Sequence, residues 1–180
     1  MMKHPRLIAL LVGILWTGLA GAHSLVSISS PKNTSLKKFA ARVQKINHSD
    51  LANTAAASYQ VRAISPARKP GESVGALYQR ILKYSLHRDH PITGDEQGYG
   101  FREIKNQDEL EAEIARLANL YSGRHLAVLK EVLTSALNTQ LLVLVGLGSG
   151  NNTVADIIAV VDVKNKQFSY FLYSNFGSDN

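Results

Sequence analysis

The sequence predicts an α+β fold, and three observations carry that prediction. Segments between Leu36 and Leu137 repeatedly place apolar residues at helical spacing. From Gln140 the period changes, and runs rich in β-branched and aromatic residues follow one another to Tyr173. Only short turns separate those runs, which predicts a three-stranded antiparallel meander over about residues 140–175 rather than βαβ units. Two to four helices would cover one face of that sheet.

The chain begins as an exported protein would. Met1 to Arg6 is short and basic, Leu7 to Leu19 is almost wholly apolar, and Ala20-Gly21-Ala22 supplies small residues for a signal peptidase. An uncleaved anchor is the competing reading, but a spanning helix takes about 20 apolar residues and this run is shorter. Cleavage between Ala22 and His23 is expected, which makes residues 1–22 a leader and sends the remainder to the periplasm or outside the cell. The cut removes Trp16, the only tryptophan, so the mature protein should fluoresce as a tyrosine protein. It also removes Lys3 and Arg6, leaving 18 of the 20 basic residues against 14 acidic ones, a net charge of +4. That excess is mild, no Lys/Arg cluster is interleaved with aromatics, and nucleic acid is not an expected partner. With no cysteine, no disulfide supports the fold in an oxidising compartment.

Residues 23–58 read as a loosely specified N-terminal arm, and residues 59–180 as the α+β domain. Within the arm, Ser24 to Ser30 alternates and forms a short strand. Leu36, Phe39, Ala40, Val43 and Ile46 then mark one face of a helix whose other face carries Lys37, Lys38, Arg42 and Lys45. Such a basic helix packs as a surface helix or, on the sharper reading, docks on an acidic membrane; its small apolar face favours the first. Asn47 to Ser58 reads as a linker. Tyr59 to Ile64 alternates as a strand. A helix follows from about Glu72 or Ser73, with Val74, Leu77, Tyr78, Ile81, Leu82 and Leu86 on its inner side, and it must end before Pro91. Pro91 to Gly100 is a loop and Phe101 to Ile104 a short strand.

The next helix is the best marked. Asn106 is placed to cap it and Glu109 stands three residues on, while Asp108, Glu109 and Glu111 put negative charge at the positive end of the dipole. Its inner stripe is Leu110, Ile114, Leu117 and Tyr121, and Ser122-Gly123 stops it. A fourth helix from about Arg124 to Leu137 turns Val128, Leu129, Val132, Leu133 and Ala136 inward. In the C-terminal runs, Asp156 opens the middle strand and Asp162 leads into the Lys164-Asn165-Lys166 turn. In the last strand Phe168, Tyr170 and Leu172 share one face and Ser169, Phe171 and Tyr173 the other.

No cofactor signature and no defined metal site emerges, and no residue is assigned as catalytic. The densest polar cluster is His87-Arg88-Asp89-His90. Imidazoles and a carboxylate could bind a metal or exchange protons, so His87, Asp89, His90 and, further on, His125 are the candidates for such chemistry. The cluster lacks a His-Glu-x-x-His spacing, and a solvated helix C-terminus is the favoured explanation of it. Gly146 to Asn152 follows an apolar strand as phosphate loops do, but a β-rich run follows it instead of a helix, so it reads as a hairpin. Ser122 and His125 are near in sequence but form no triad on that ground. If helices cover only one face of the sheet, Phe171 and Tyr173 lie exposed on the other, a candidate protein interface. The expected function is therefore an exported, non-enzymatic protein-binding domain of inhibitor, immunity or virulence-factor type, with an envelope or extracellular protein as partner. The competing expectation is a small hydrolase or metal-dependent enzyme built on the His87/Asp89/His90 cluster.

Overall fold

The computed structural model describes residues 26–49, 61–64, 67–89, 99–150 and 153–176. Residues 1–22, expected as a leader, residues 50–58 of the expected linker, His90 and most of the expected loop after it lie outside the described residues. The fold is α+β. In chain order the elements are β1 (Val26–Ile28), α1 (Thr34–Ser49), β2 (Arg62–Ile64), α2 (Val74–Asp89), β3 (Tyr99–Ile104), α3 (Gln107–Ala118), α4 (Gly123–Leu137), β4 (Leu142–Gly150), β5 (Thr153–Asp162) and β6 (Gln167–Phe176). No helix among the described residues is long and apolar enough to cross a membrane.

Asparagine and serine side chains cap the starts of α1, α2 and α3. Asn33 Oδ1 accepts from the backbone N–H of Ser35 at 2.7 Å and of Leu36 at 3.3 Å, so Asn33 caps α1. Ser73 Oγ accepts from Ala76 N at 3.1 Å at the start of α2. Asn106 Oδ1 accepts from Glu109 N at 2.9 Å, as the spacing predicted. Glu109 returns the contact one residue further out than a standard capping box, accepting from Lys105 N at 2.7 Å. Gly123, at φ 53, opens α4 in the left-handed region and lets the chain reverse between α3 and α4.

The sheet has six strands, not three, in the order β1-β2-β6-β5-β4-β3, every neighbouring pair antiparallel. The short segments that alternate upstream join the long C-terminal strands at their two flanks. At one flank Arg62 pairs with Phe168, and β1 then pairs with β2. At the other flank Tyr99 to Ile104 pairs with Gly148 to Val143. Gly146 is required there. A Cβ on it would lie 2.3 Å from the Gly100 carbonyl oxygen and 2.4 Å from Phe101 Cδ1, because the Phe101 ring lies across it.

Helices cover both faces of the sheet, which corrects the one-sided layering expected from sequence. α1, α3 and α4 bury Leu36, Phe39, Val43, Leu117, Leu129 and Val132 against Val143, Val145, Ile158, Val160, Phe171 and Tyr173. α2 buries Leu77, Ile81, Leu82 and Leu86 against Leu144, Ile157, Ala159, Val161, Phe168 and Tyr170. The physical reason is in β5, where Ile157, Ala159 and Val161 alternate with Ile158 and Val160. Both pleat surfaces are apolar, so both need a cover.

Residues 26–49 are accordingly part of this fold rather than a loose arm. Gln167, itself buried, fastens the β1–α1 connection. Its Oε1 accepts from Lys32 N at 2.7 Å, and its Nε2 donates to Ser29 Oγ at 2.9 Å and to the Ser30 carbonyl at 2.7 Å. The turn after β5 is held by Asp162, whose carboxylate accepts from the backbone N–H and the side-chain amide of Asn165 at 3.2 and 2.7 Å.

Candidate functional site

Of the residues singled out from sequence, the structure keeps His87 and Asp89 together at the end of α2 and sets His125 apart on α4. His87 is exposed near the C-terminal end of α2, with its ring edge-on to Tyr99 at 5.2 Å. Asp89 is the last residue of α2, and His90 lies outside the described residues. His125 stands on α4, across the sheet from α2, so His87 and His125 do not meet. Among the described residues no three His, Cys, Asp or Glu side chains are placed to hold a metal ion. Gly146, Gly148 and Gly150 belong to β4 itself, and strand β5 follows them, so this segment forms no phosphate loop. Phe171 and Tyr173 fall on the pleat face opposite Phe168, Tyr170 and Leu172, as the alternation predicts. Both are 0% exposed beneath the helices and offer no surface to a partner.

A different constellation assembles on the α3/α4 side. α3 turns Glu113 inward with Leu110 and Leu117, three residues after one and four before the other. Glu113 is therefore a buried carboxylate inside an apolar stripe. Arg116, one turn on, donates to it from Nε at 3.1 and 3.0 Å and from Nη2 at 2.8 Å. Arg102 on β3 donates to the same carboxylate. Arg116 also reaches Asp156 on β5, across a sequence separation of 40 residues. The other oxygen of Asp156 accepts from Tyr121 OH at 2.6 Å. Asp156, expected to open the middle strand, is 2% exposed and shared by two donors. Tyr173 is the cross-strand partner of Asp156, its ring edge-on to Tyr121 at 5.1 Å, and its hydroxyl shares a hydrogen bond with His125 Nδ1.

Electrostatics follow from this geometry. Glu113 above all, and Asp156 after it, hold the Arg116 guanidinium more firmly protonated than a free one. Burial, reinforced by the Asp156 charge, raises the pKa values of Tyr121 and Tyr173. Their hydroxyls thus stay protonated through neutral pH, and Tyr121 remains a donor to Asp156. Two carboxylates and two guanidiniums balance in charge but not in position. Glu113 and Asp156 point inward with side chains 4% and 3% exposed, while Arg102 and Arg116 are 48% and 31% exposed. The solvent side of the network is positive.

That side opens into a cleft of about 470 Å³ between α3 and the β3–β4 flank, lined by Gly100, Arg102, Glu113, Arg116, Val145 and Leu147 among others. Arg102 Nε and Nη1 and Arg116 Nη1 make no hydrogen bond to another described residue. Leu147 adds an apolar side chain, 38% exposed. β3 itself is the last strand of the sheet, and among the described residues no strand pairs with its outer edge. The cleft can hold a group that supplies acceptors to guanidinium and a backbone that supplies partners to an edge strand. Sequence spacing missed this site, since Arg102, Arg116 and Asp156 come from three distant segments. The one local sign was Glu113, a charge at an inward helical position.

The chain matches no protein-family model, no curated protein and no solved structure.

Proposed function

We propose that the chain is an exported protein-binding domain that works by contact with an envelope or extracellular protein, and that it takes its partner at the β3 edge. The observation that carries this reading is the position of β3. A six-residue strand ends the sheet, and a mainly apolar cleft with outward-facing arginines runs beside it. Edge strands offer a row of backbone donors and acceptors, and proteins that bind by strand addition use such rows. The opposite edge, β1, has only three residues and offers less. The buried aromatics of β6 stabilise the sheet that presents this edge.

The test is a photo-crosslinking side chain introduced at Gly100, which is exposed and has open space where a Cβ would stand. A second version carries the same group at exposed Lys83 on α2. Irradiation in the native envelope should give a discrete adduct from position 100 and none from position 83. An adduct at 83 alone, or equal adducts at both, would overturn the assignment of the edge.

A further inference from the structure

We infer that the segment docking on β3 is extended and acidic, with a carboxylate set opposite Arg102 and a large apolar side chain two residues away opposite Gly100; this rests on the β3-edge reading above.

Alternation along β3 divides its side chains. Arg102 and Gly100 lie on the α3 face with the cleft, and Phe101 and Glu103 lie on the α2 face. A strand added to the edge places one side chain directly opposite Arg102, with Cβ atoms about 4.5–5.5 Å apart. At that separation a Glu or Asp side chain meets Arg102 Nε and Nη1, the donors that Glu113 leaves open. Glu113 takes one end of the guanidinium and orients it, so little side-chain freedom remains to be lost on binding. A basic side chain in the same place would face two guanidiniums whose balancing carboxylates are buried behind them.

The neighbouring position is specified by what is missing. Nothing lies within 4 Å of a Cβ built on Gly100. Its cross-strand partner on the inner side is Leu147, whose side chain is partly exposed. A side chain on the added strand opposite Gly100 therefore faces a gap floored by backbone and closed on the far side by Leu147. Only a large apolar group spans that gap and covers the leucine. Carboxylate and apolar group sit two residues apart on the same face, so the recognised pattern is apolar-x-acidic or its reverse, according to strand direction.

The probe is a short peptide, Thr-Phe-Thr-Glu-Thr-Val with both ends blocked, compared with otherwise identical peptides carrying Gln or Lys in place of Glu. Each is titrated into the exported form of the chain at low salt while backbone amide NMR signals are followed. The Glu peptide should shift the signals of β3 and bind about tenfold more tightly than the Gln peptide, as one hydrogen bond to a charged group implies. The Lys peptide should bind most weakly, and Arg102→Glu should invert the order of Glu and Lys. If no peptide shifts β3, edge docking itself fails. If all three shift β3 with equal affinity, edge docking stands and the acidic specificity is overturned. Should Arg102→Glu not fold, the three peptides on the unaltered chain still decide the matter.

Discussion

Replacing Asp156 by alanine tests whether the network beneath the cleft is a structural joint. Asp156 is almost fully buried and takes hydrogen bonds from Tyr121 and Arg116. In Asp156→Ala the two donors fare differently. Arg116 keeps Glu113 and is partly exposed, so water replaces the lost acceptor at a cost of about 0–1 kcal/mol. The Tyr121 hydroxyl is buried and loses its charged acceptor, which costs about 1.5–3 kcal/mol. The expected destabilisation is about 1.5–4 kcal/mol, a large share of the roughly 5–15 kcal/mol that holds a typical domain folded.

The companion Tyr121→Phe removes the donor and leaves Asp156 with Arg116, costing about 1–2 kcal/mol. In the double variant the orphaned hydroxyl is gone. Its cost should therefore fall short of the sum of the single costs by about 1 kcal/mol or more. Urea unfolding followed by far-ultraviolet circular dichroism measures all three, with an unchanged denaturant slope confirming that only stability has moved. A loss below 1 kcal/mol for Asp156→Ala, or strict additivity with Tyr121→Phe, would refute the reasoning.

The β6 aromatics should behave as core. Phe171→Ser or Tyr173→Ser should cost about 3–5 kcal/mol in the same urea experiment, and a fully folded variant of normal stability would contradict the burial. Gly146→Ala forces a methyl against the Gly100 carbonyl, which is backbone and cannot swing aside, so about 1–3 kcal/mol should be lost; calorimetry showing an unchanged melting point would contradict the contact. Alkali should unfold the protein through its buried phenols. Burial, with Tyr170 beside it, pushes the Tyr99 pKa from 10.0 to about 12, and Tyr78, Tyr121 and Tyr173 are raised in the same direction. Phenols raised in the folded state contribute stability that is fully present below pH 10 and is lost as pH climbs through about 12. Tyrosinate absorbance should therefore rise in one step with the loss of circular dichroism, whereas smooth ionisation of a folded chain would contradict the shifts.

Local chemistry made part of this molecule legible. The Asn106 cap, the inward stripe of α2 and the 164–166 turn rest on interactions within a few residues, and spacing reveals those. The face alternation of β6 was readable for the same reason. The sheet was not, because β1 and β2 have three residues each and acquire meaning only by pairing with strands far along the chain. Two-sided coverage was within reach. β5 is apolar at consecutive positions, and a strand buried on both faces requires a second layer of helix, which the segment from Val74 supplies. Giving all helices to one face left Phe171 and Tyr173 with an exposure they do not have. The Arg116–Asp156 link joins helix to strand over a long separation and leaves no periodic trace in either.

Covering both faces changes where such a protein can be addressed. A sheet with one bare face presents side chains over a wide area, and exposed aromatics there would mark the interface. A sheet closed on both faces keeps its pleats for the core, and its backbone is reachable only along its first and last strands. Natural proteins blunt such edges with short strands, charge or proline. β1 follows that rule by its brevity. β3 does so only partly: it has six residues, lacks proline, and its charges Arg102 and Glu103 fall on opposite faces. Charge of that kind repels a second copy of the same strand less than it selects a partner with the complementary pattern. On the proposed β3-edge reading, Arg102 both discourages unselective pairing at the edge and defines what the edge accepts, while the buried carboxylates of Glu113 and Asp156 hold the guanidiniums outward, toward the cleft.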